Sequence, residues 1–280
     1  MSINVLSKKS RFNEMDLQQI DSQTSDPLTF LSEICGTLKT LKRTGWVRSN
    51  IPLPESDSDH MHRCAMCTLL LSQPTSREDD YEANKNSKYH PSKVDQTKLL
   101  KMALTHDLCE ALAGDITPFC STELVNSKHE KERSSMLKIS NLIGNPLGKE
   151  LYDLWKEYEE QLTIEAIYCK DIDKFEMVMQ AFEYEKKHLI KHEKKDSKDK
   201  GKSMLDENKN KKMKMDESAS KHKCDTNAKV LHEPLRTFFI TTNNCIKTPL
   251  FRRLDKELRN RREKWLNEYG WDITEQEQQK

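Results

Sequence analysis

The sequence predicts an all-α fold. Only seven glycines occur in 280 residues, runs of alternating β-branched residues are few, and apolar side chains recur with the three-to-four residue spacing of helices that bury one face. The composition, 35% hydrophobic and 33% charged, allows one sizeable helical domain but is too polar for the whole chain to pack into a core. The expected organisation is a mobile polar tail over 1–25, a helical core over 26–187, a disordered lysine-rich insertion over 188–230, a helical completion of the core over 231–270 and a short tail over 271–280.

The elements follow in order. Asp26-Pro27 reads as an N-cap and first-turn proline, after which Leu28, Leu31, Cys35, Leu38 and Leu41 carry a helix to Gly45. Ser56 is a candidate N-cap whose partner Asp59 would close a capping box, and His60, Cys64, Cys67 and Leu71 form one stripe of the helix that follows. From Gln73 to Lys93 the chain is polar and longer than a compact connection needs. Leu99, Met102, Ala103 and His106 lie at i, i+3, i+4 and i+7, so His106 belongs to an apolar stripe, and Glu110 stays on that face. Leu147, Leu151, Leu154, Trp155 and Tyr158 mark another helix. Thr163 opens a long one to about Lys187, with Asp173 on the same face as Ala166, Cys169 and Met177. Leu235, Phe238, Phe239 and Ile240 resume an apolar pattern, and Pro249 opens a last helix through Leu250, Leu254, Leu258 and Trp265, whose arginines read as a basic wet face.

Between Lys186 and Lys223 there are fourteen lysines against seven acids, with scarcely any large apolar residue to offset the entropy of ordering. Since the chain carries a net charge of +1, that excess leaves the rest at about minus six, and nucleic-acid binding by the folded body is not expected. The run Lys209-Asn-Lys-Lys-Met-Lys214 leaves a nuclear-import reading open beside that of a solvated insertion. No apolar stretch approaches a membrane span and the N-terminus shows no signal-type apolar core, so an intracellular, cytoplasmic location without membrane contact is expected. The eight cysteines are read as reduced. Cys64-x-x-Cys67 resembles half a zinc knuckle but sits in a helical stripe with no second pair, and Cys35, Cys109 and Cys169 read as small core residues.

The most informative feature is the pair His106-Asp107, two metal-binding side chains beside a buried stripe, where charge needs a counter-charge. With His60 upstream and Asp173 downstream, two imidazoles and two carboxylates would suit a borderline or hard divalent cation. Spacing alone leaves the bland alternative standing, in which His106 is a satisfied core histidine and the acids are surface charge.

Four segments in order strengthen the functional side: Pro54-Glu-Ser-x-Ser-Asp-His60, Ala103-Leu-x-His-Asp-x-x-Glu110, Gly114-Asp-Ile116, and Asp173 followed by Glu176-Met and Glu183-Tyr-Glu185. Together they resemble the HD-domain phosphohydrolases, in particular the eukaryotic HD domain-containing 5'-deoxynucleotidases, relatives of bacterial HD-domain 5'-nucleotidases. The resemblance spans about Leu28 to Glu185 and, more weakly, about Thr237 to Glu268. It implies a single HD-domain helical bundle in which His60, His106, Asp107 and Asp173 hold the principal metal. Glu110, Asp115 and the carbonyl of Ile116 match either a second-metal cluster or catalytic, water-positioning groups. Arg43 and Trp46 match nucleotide-holding positions, though without the resemblance Arg43 reads as a helix C-terminal cation and Trp46 as a core aromatic. The family's Arg before the residue matching Asn50 is replaced by Ser49, with Arg48 one position earlier, which leaves the phosphate-binding arginine open.

The resemblance further implies one or two divalent ions per chain (Mn, Co or Mg) and a deoxynucleoside 5'-monophosphate as substrate; a homodimer is also expected, the basic face of the last helix being either its contact or solubilising charge. The residue types suit that chemistry. A phosphate monoester is a dianion that repels hydroxide, so its hydrolysis needs a cation that lowers the pKa of bound water and neutralises the phosphoryl oxygens, with a carboxyl group to move a proton. Two rivals remain: a phosphodiesterase acting on a cyclic or short oligonucleotide with the same donor set, and a non-catalytic helical scaffold that keeps a structural metal.

Overall fold

The computed structural model describes residues 25–72, 88–192, 230–274 and 277. The expected N-terminal tail up to residue 24, most of the polar segment after Gln73, the body of the lysine-rich insertion and half of the final tail (275, 276 and 278–280) lie outside the described residues. Among the described residues there is no sheet, only isolated bridges between Lys42 and Ser56 and between Leu189 and Leu231. No helix there is long and apolar enough to cross a membrane.

Helix α1 starts at Pro27–Thr29 and continues through a π-helical stretch, Phe30–Cys35, into Gly36–Leu38. Asp26 caps it as expected, accepting from the Thr29 N–H at 2.9 Å. The helix stops before the predicted Gly45 because the backbone of residues 41–43 pairs elsewhere: Asp57 N donates to Leu41 O at 3.1 Å and Arg43 N to Glu55 O at 3.3 Å. A separate short helix, α2 (Thr44–Arg48), follows.

Helix α3 (Asp57–Leu69) begins at the predicted capping box, with Ser56 N donating to Asp59 Oδ2 at 2.8 Å and Asp59 N to Ser56 Oγ at 3.2 Å. Helix α4 (Gln96–Thr105) buries Leu99, Met102 and Ala103 but ends before the His-Asp pair. The expected single helix through Glu110 is instead a tight turn, with Leu108 N donating to Thr105 O at 3.1 Å and Glu110 N to Asp107 O at 3.0 Å, leading into α5 (Glu110–Ala113). Three-residue hydrogen bonding eclipses side chains three apart, so Asp107 and Glu110 project to one side. Gly114 ends α5 at φ +79°, a conformation that favours glycine.

Helix α6 (Thr122–Ile143) has no counterpart in the sequence reading. Its first half is almost entirely polar and the apolar stripe of Met136, Ile139, Leu142 and Ile143 appears only near its end. It packs against α7 (Leu147–Glu160). Gly148 permits the approach, since a Cβ there would stand 2.1 Å from the Ser140 carbonyl oxygen. Leu151, Leu154, Trp155 and Tyr158 of α7 are buried as expected.

The central element is α8 (Ile164–His188), capped by Thr163, which contacts α3, α4 and α7. The chain returns in α9 (Arg236–Thr241) and α10 (Pro249–Glu268). Asp171 of α8 accepts from Thr248 N at 2.6 Å and Lys247 N at 2.8 Å, fixing the start of α10. The arginines of α10 do not all form a wet face. Arg262 is buried and pairs with Glu185 of α8 at 2.7 and 2.9 Å, and Arg259 reaches the Phe239 carbonyl at 2.9 Å. An ion that fills its hydrogen bonds can be buried where an unpaired one cannot.

Candidate metal centre

Two helices and one turn bring the donors together. His60 comes from the first turns of α3, His106 and Asp107 from the turn after α4, and Asp173 from the middle of α8. His60 Nε2 lies 3.3 Å from Asp173 Oδ1 and 3.7 Å from Asp107 Oδ2. His106 Nε2 lies 3.3 Å from Asp107 Oδ2, and the two imidazole centroids are 5.4 Å apart.

The second nitrogen of each ring decides what the first can do. His106 Nδ1 is 3.0 Å from the Ala103 carbonyl, which can only accept, so Nδ1 carries the hydrogen and Nε2 presents its lone pair to Asp107. His60 Nδ1 contacts Glu176 Oε2, and a hydrogen there likewise turns the Nε2 lone pair toward Asp173 and Asp107. Lone pairs facing carboxylate oxygens at these distances repel unless a proton or a cation stands between them. His106 Nε2 has no hydrogen-bond partner. Two imidazoles and two carboxylates whose donor atoms converge in this way fit a divalent cation.

The electrostatics show how the carboxylates attract positive charge to this point. Burial works against the charge on Asp107, yet His106 and Arg43 hold its carboxyl well below the usual range. Burial likewise opposes ionisation of Asp173, which Lys170 and His60 overcome. Around His60, burial and the Arg43 charge disfavour protonation, but Cys64, Glu176 and Asp173 outweigh them and drive its pKa well above the imidazole range, so without a cation a proton on Nε2 stands between the ring and Asp173, and a cation would have to displace it. Tyr158 supports Asp173 by donating to Oδ2 at 2.9 Å, and Lys170 donates to the same oxygen at 3.1 Å.

A second acidic group adjoins the first. Asp57, Glu110 and Asp115 offer oxygens within 4.8 Å of one another. Both Asp57 oxygens and Glu110 Oε2 are buried without a hydrogen-bond partner. Burial pushes the Asp57 carboxyl up to about 7, and burial together with Asp107 and Asp115 pushes Glu110 well above its ordinary value. Asp115 Oδ2 accepts from Thr44 N at 2.6 Å, and the Ile116 carbonyl accepts from Lys128 Nζ at 3.0 Å.

Arg43 reaches across from the start of α2, 3.0 Å from Asp107 and 3.7 Å from Glu110, so it is a cation of the centre and not the helix C-terminal cation that its sequence also allowed. Arg48 is exposed at the end of α2. Trp46 corrects the expectation of a nucleotide-holding plane. It is 2% exposed, packed edge-on against Tyr184 and at a tilt against Phe238 at centroid distances of 5.3 and 4.4 Å, and its indole N–H donates to Glu55 at 2.7 Å. It is a core aromatic that fixes Glu55.

Asp57 and Arg63 had no place in the sequence reading, and Glu176 only stood in a motif. Asp57 sits three residues before His60, a helical spacing that puts both on one face and would have signalled it. Arg63 donates to Glu176 Oε1 at 2.8 Å and to Glu183 Oε2 at 2.7 Å, which explains two acids of the last motif. Glu185, the third, holds Arg262 far from the donors.

An all-α bundle that closes His, His-Asp and Asp donors around one point defines a helical metal-site protein, and comparison with known proteins gives its family. The HD domain family matches residues 35–214, and the chain belongs to it. The chain is 46% identical over 154 residues to the 5'-deoxynucleotidase HDDC2 of Dictyostelium discoideum, covering 55% of this chain and 75% of that protein. It is 38% identical over 158 residues to the Homo sapiens 5'-deoxynucleotidase HDDC2, covering 56% and 68%. To the Saccharomyces cerevisiae 5'-deoxynucleotidase YGK1 it is 39% identical over 165 residues, covering 58% and 67%.

Proposed function

We propose that this chain is a metal-dependent 5'-deoxynucleotidase, hydrolysing deoxynucleoside 5'-monophosphates to deoxynucleoside and phosphate. The observation that carries the reading is the convergence of His60 Nε2, His106 Nε2, Asp107 and Asp173, two imidazoles and two carboxylates whose facing atoms lie 3.3–3.7 Å apart. The names of the relatives supply the substrate class.

A divalent cation held by those four residues would supply an activated water and neutralise charge on the phosphoryl oxygens. The chain's own groups do the rest. Arg43 brings a permanent positive fork to the edge of the donor set, suited to a phosphate dianion. Glu110, kept neutral by burial and by its acidic neighbours, is in the state to protonate the leaving 5'-oxygen, and once ionised it can take a proton from water. Thr44 N–H orients Asp115 beside it. We assign Glu110 to proton transfer; the alternative is a second cation held with Asp57 and Asp115, whose oxygens lie within 4.8 Å of its own.

The test is phosphate release by the full chain after chelation and add-back of Mn2+, Co2+ or Mg2+, against deoxy- and ribonucleoside monophosphates and a cyclic diester. Metal-restored release from deoxynucleoside 5'-monophosphates is expected. Cleavage of diesters with monoesters spared would replace the reading by a phosphodiesterase, and activity indifferent to metal would end it.

A further inference from the structure

Cys64 stands one turn beyond His60 on α3 and is fully buried. It belongs to the core cluster formed with Cys67, Leu99, Met102 and Cys169, and as a space-filling residue it would require nothing polar. Its sulfur nevertheless lies 3.6 Å from His60 Nε2, the lone-pair nitrogen. Cys64 Sγ and one ring nitrogen from each of His60 and His106 all fall within 4.8 Å of one another.

Two observations make this trio a site. The first is a length: in a tetrahedral zinc centre with Zn–S of about 2.3 Å and Zn–N of about 2.05 Å, sulfur and nitrogen are separated by about 3.6 Å, which is the spacing between Cys64 Sγ and His60 Nε2. The second is that His106 is 1% exposed, its Nδ1 is committed to the Ala103 carbonyl, and its Nε2 is without a hydrogen-bond partner. The trio shares its imidazoles with the principal donor set but replaces partly exposed carboxylates by a fully enclosed sulfur. Softness separates the two sets, since thiolate selects zinc and cadmium whereas carboxylate suits Mn2+ and Mg2+.

We propose that Cys64 gives this centre a second, softer coordination mode, in which Zn2+ or Cd2+ is held by His60, His106 and the Cys64 thiolate, deeper than an ion that uses Asp107 and Asp173. The thiol proton leaves to solvent as the metal–sulfur bond forms. An ion so placed is drawn away from Glu110 and Arg43, so the soft mode binds tightly and supports little turnover. The inference rests on the reading that His60 and His106 are ligands.

The test loads the metal-stripped full chain with Co2+ and records its absorption. Ligand-field bands report binding by nitrogen and oxygen, and a near-ultraviolet sulfur-to-cobalt charge-transfer band reports a thiolate ligand. Wild type is expected to show both. Cys64→Ser is expected to keep the first and lose the second, while Cys169→Ser, which alters a neighbouring buried thiol outside the trio, keeps both. Zn2+ affinity measured by chelator competition should fall in Cys64→Ser by more than the about 10- to 100-fold that loss of an outer partner alone costs, with Mn2+ affinity within about twofold of wild type. If the serine variant does not fold, Cys64→Ala is read the same way, with Mn2+ binding as its check. Ligand-field bands without the charge-transfer band in wild type overturn the Cys64 assignment and leave the imidazole ligands standing. A wild-type chain that binds no Co2+ overturns both.

Discussion

Glu176→Gln isolates one consequence of the geometry, the dependence of His60 on its buried partner. Glu176 is wholly buried and divides its oxygens, Oε2 to His60 Nδ1 and Oε1 to Arg63 Nε at 2.8 Å. Glutamine keeps the shape but has one acceptor. Its oxygen is drawn to the permanently charged Arg63, so its NH2 faces His60 Nδ1, which must then accept. That flips the tautomer, puts the hydrogen on Nε2, and points a donor at Asp173 Oδ1, 3.3 Å away, where a cation needs a lone pair. Loss of such an outer partner weakens metal affinity about 10- to 100-fold, or about 1.4–2.8 kcal/mol. The assay is Mn2+ affinity by chelator competition on both proteins, with a thermal melt of the stripped forms to show that the variant folds. A folded variant with wild-type affinity would refute the tautomer argument.

The other expectations concern charge and the unused segment. Asp107→Asn should lower metal content and turnover together, and full occupancy measured by elemental analysis would contradict its place among the donors. Glu110→Ala should depress phosphate release more than Mn2+ retention, and equal losses would move it from proton transfer to cation binding. Deleting residues 194–220 should leave turnover within about twofold of normal, since this lysine-rich stretch has scarcely any large apolar residue and supplies none of the proposed donors, and a large drop in kcat would show a catalytic part. Asp57 holds its proton up to about 7 in the fold, against 3.8 for the free group. The chelated protein should therefore carry that contribution in full below about pH 4 and lose it as pH rises toward 7. Tm measured across this window should decline less in Asp57→Asn, and an unchanged slope would show that other groups govern it.

What could be read from the sequence was what short-range chemistry determines. The Asp26-Pro27 start, the Ser56–Asp59 box and the Thr163 cap stand where written, because capping needs only residues three apart. That His60, His106, Asp107 and Asp173 draw together was legible from the four ordered segments that carry the family resemblance, since spacing alone left His106 open to reading as a core histidine. Long-range competition hid the rest. Nothing local shows that residues 41–43 would pair with 55–57 instead of extending α1, nor that the helix would tighten after Thr105 and align Asp107 with Glu110. Helix α6 escaped because its first half is polar. Trp46 misled because an aromatic beside a functional arginine can serve substrate or core, and only burial distinguishes them.

One helix ties the centre to the rest of the fold. Along α8, Asp173 meets His60 Nε2, Glu176 backs the same ring at Nδ1, and Gln180 and Glu183 hold Arg63, which steadies Glu176. These residues follow at three- and four-residue steps, so they form one stripe facing α3. Asp171 and Glu185 of the same helix carry the docking of α10 through Thr248 and Arg262. Helix α8 thus fixes both the metal donors and the C-terminal helices, and disturbance at either is transmitted through a rigid element instead of a loop. Since a cation bound only by the folded state stabilises it by mass action, metal loading should raise protection of the α8–α10 contact as well as of the donors, even though α10 contributes none of the proposed ligands.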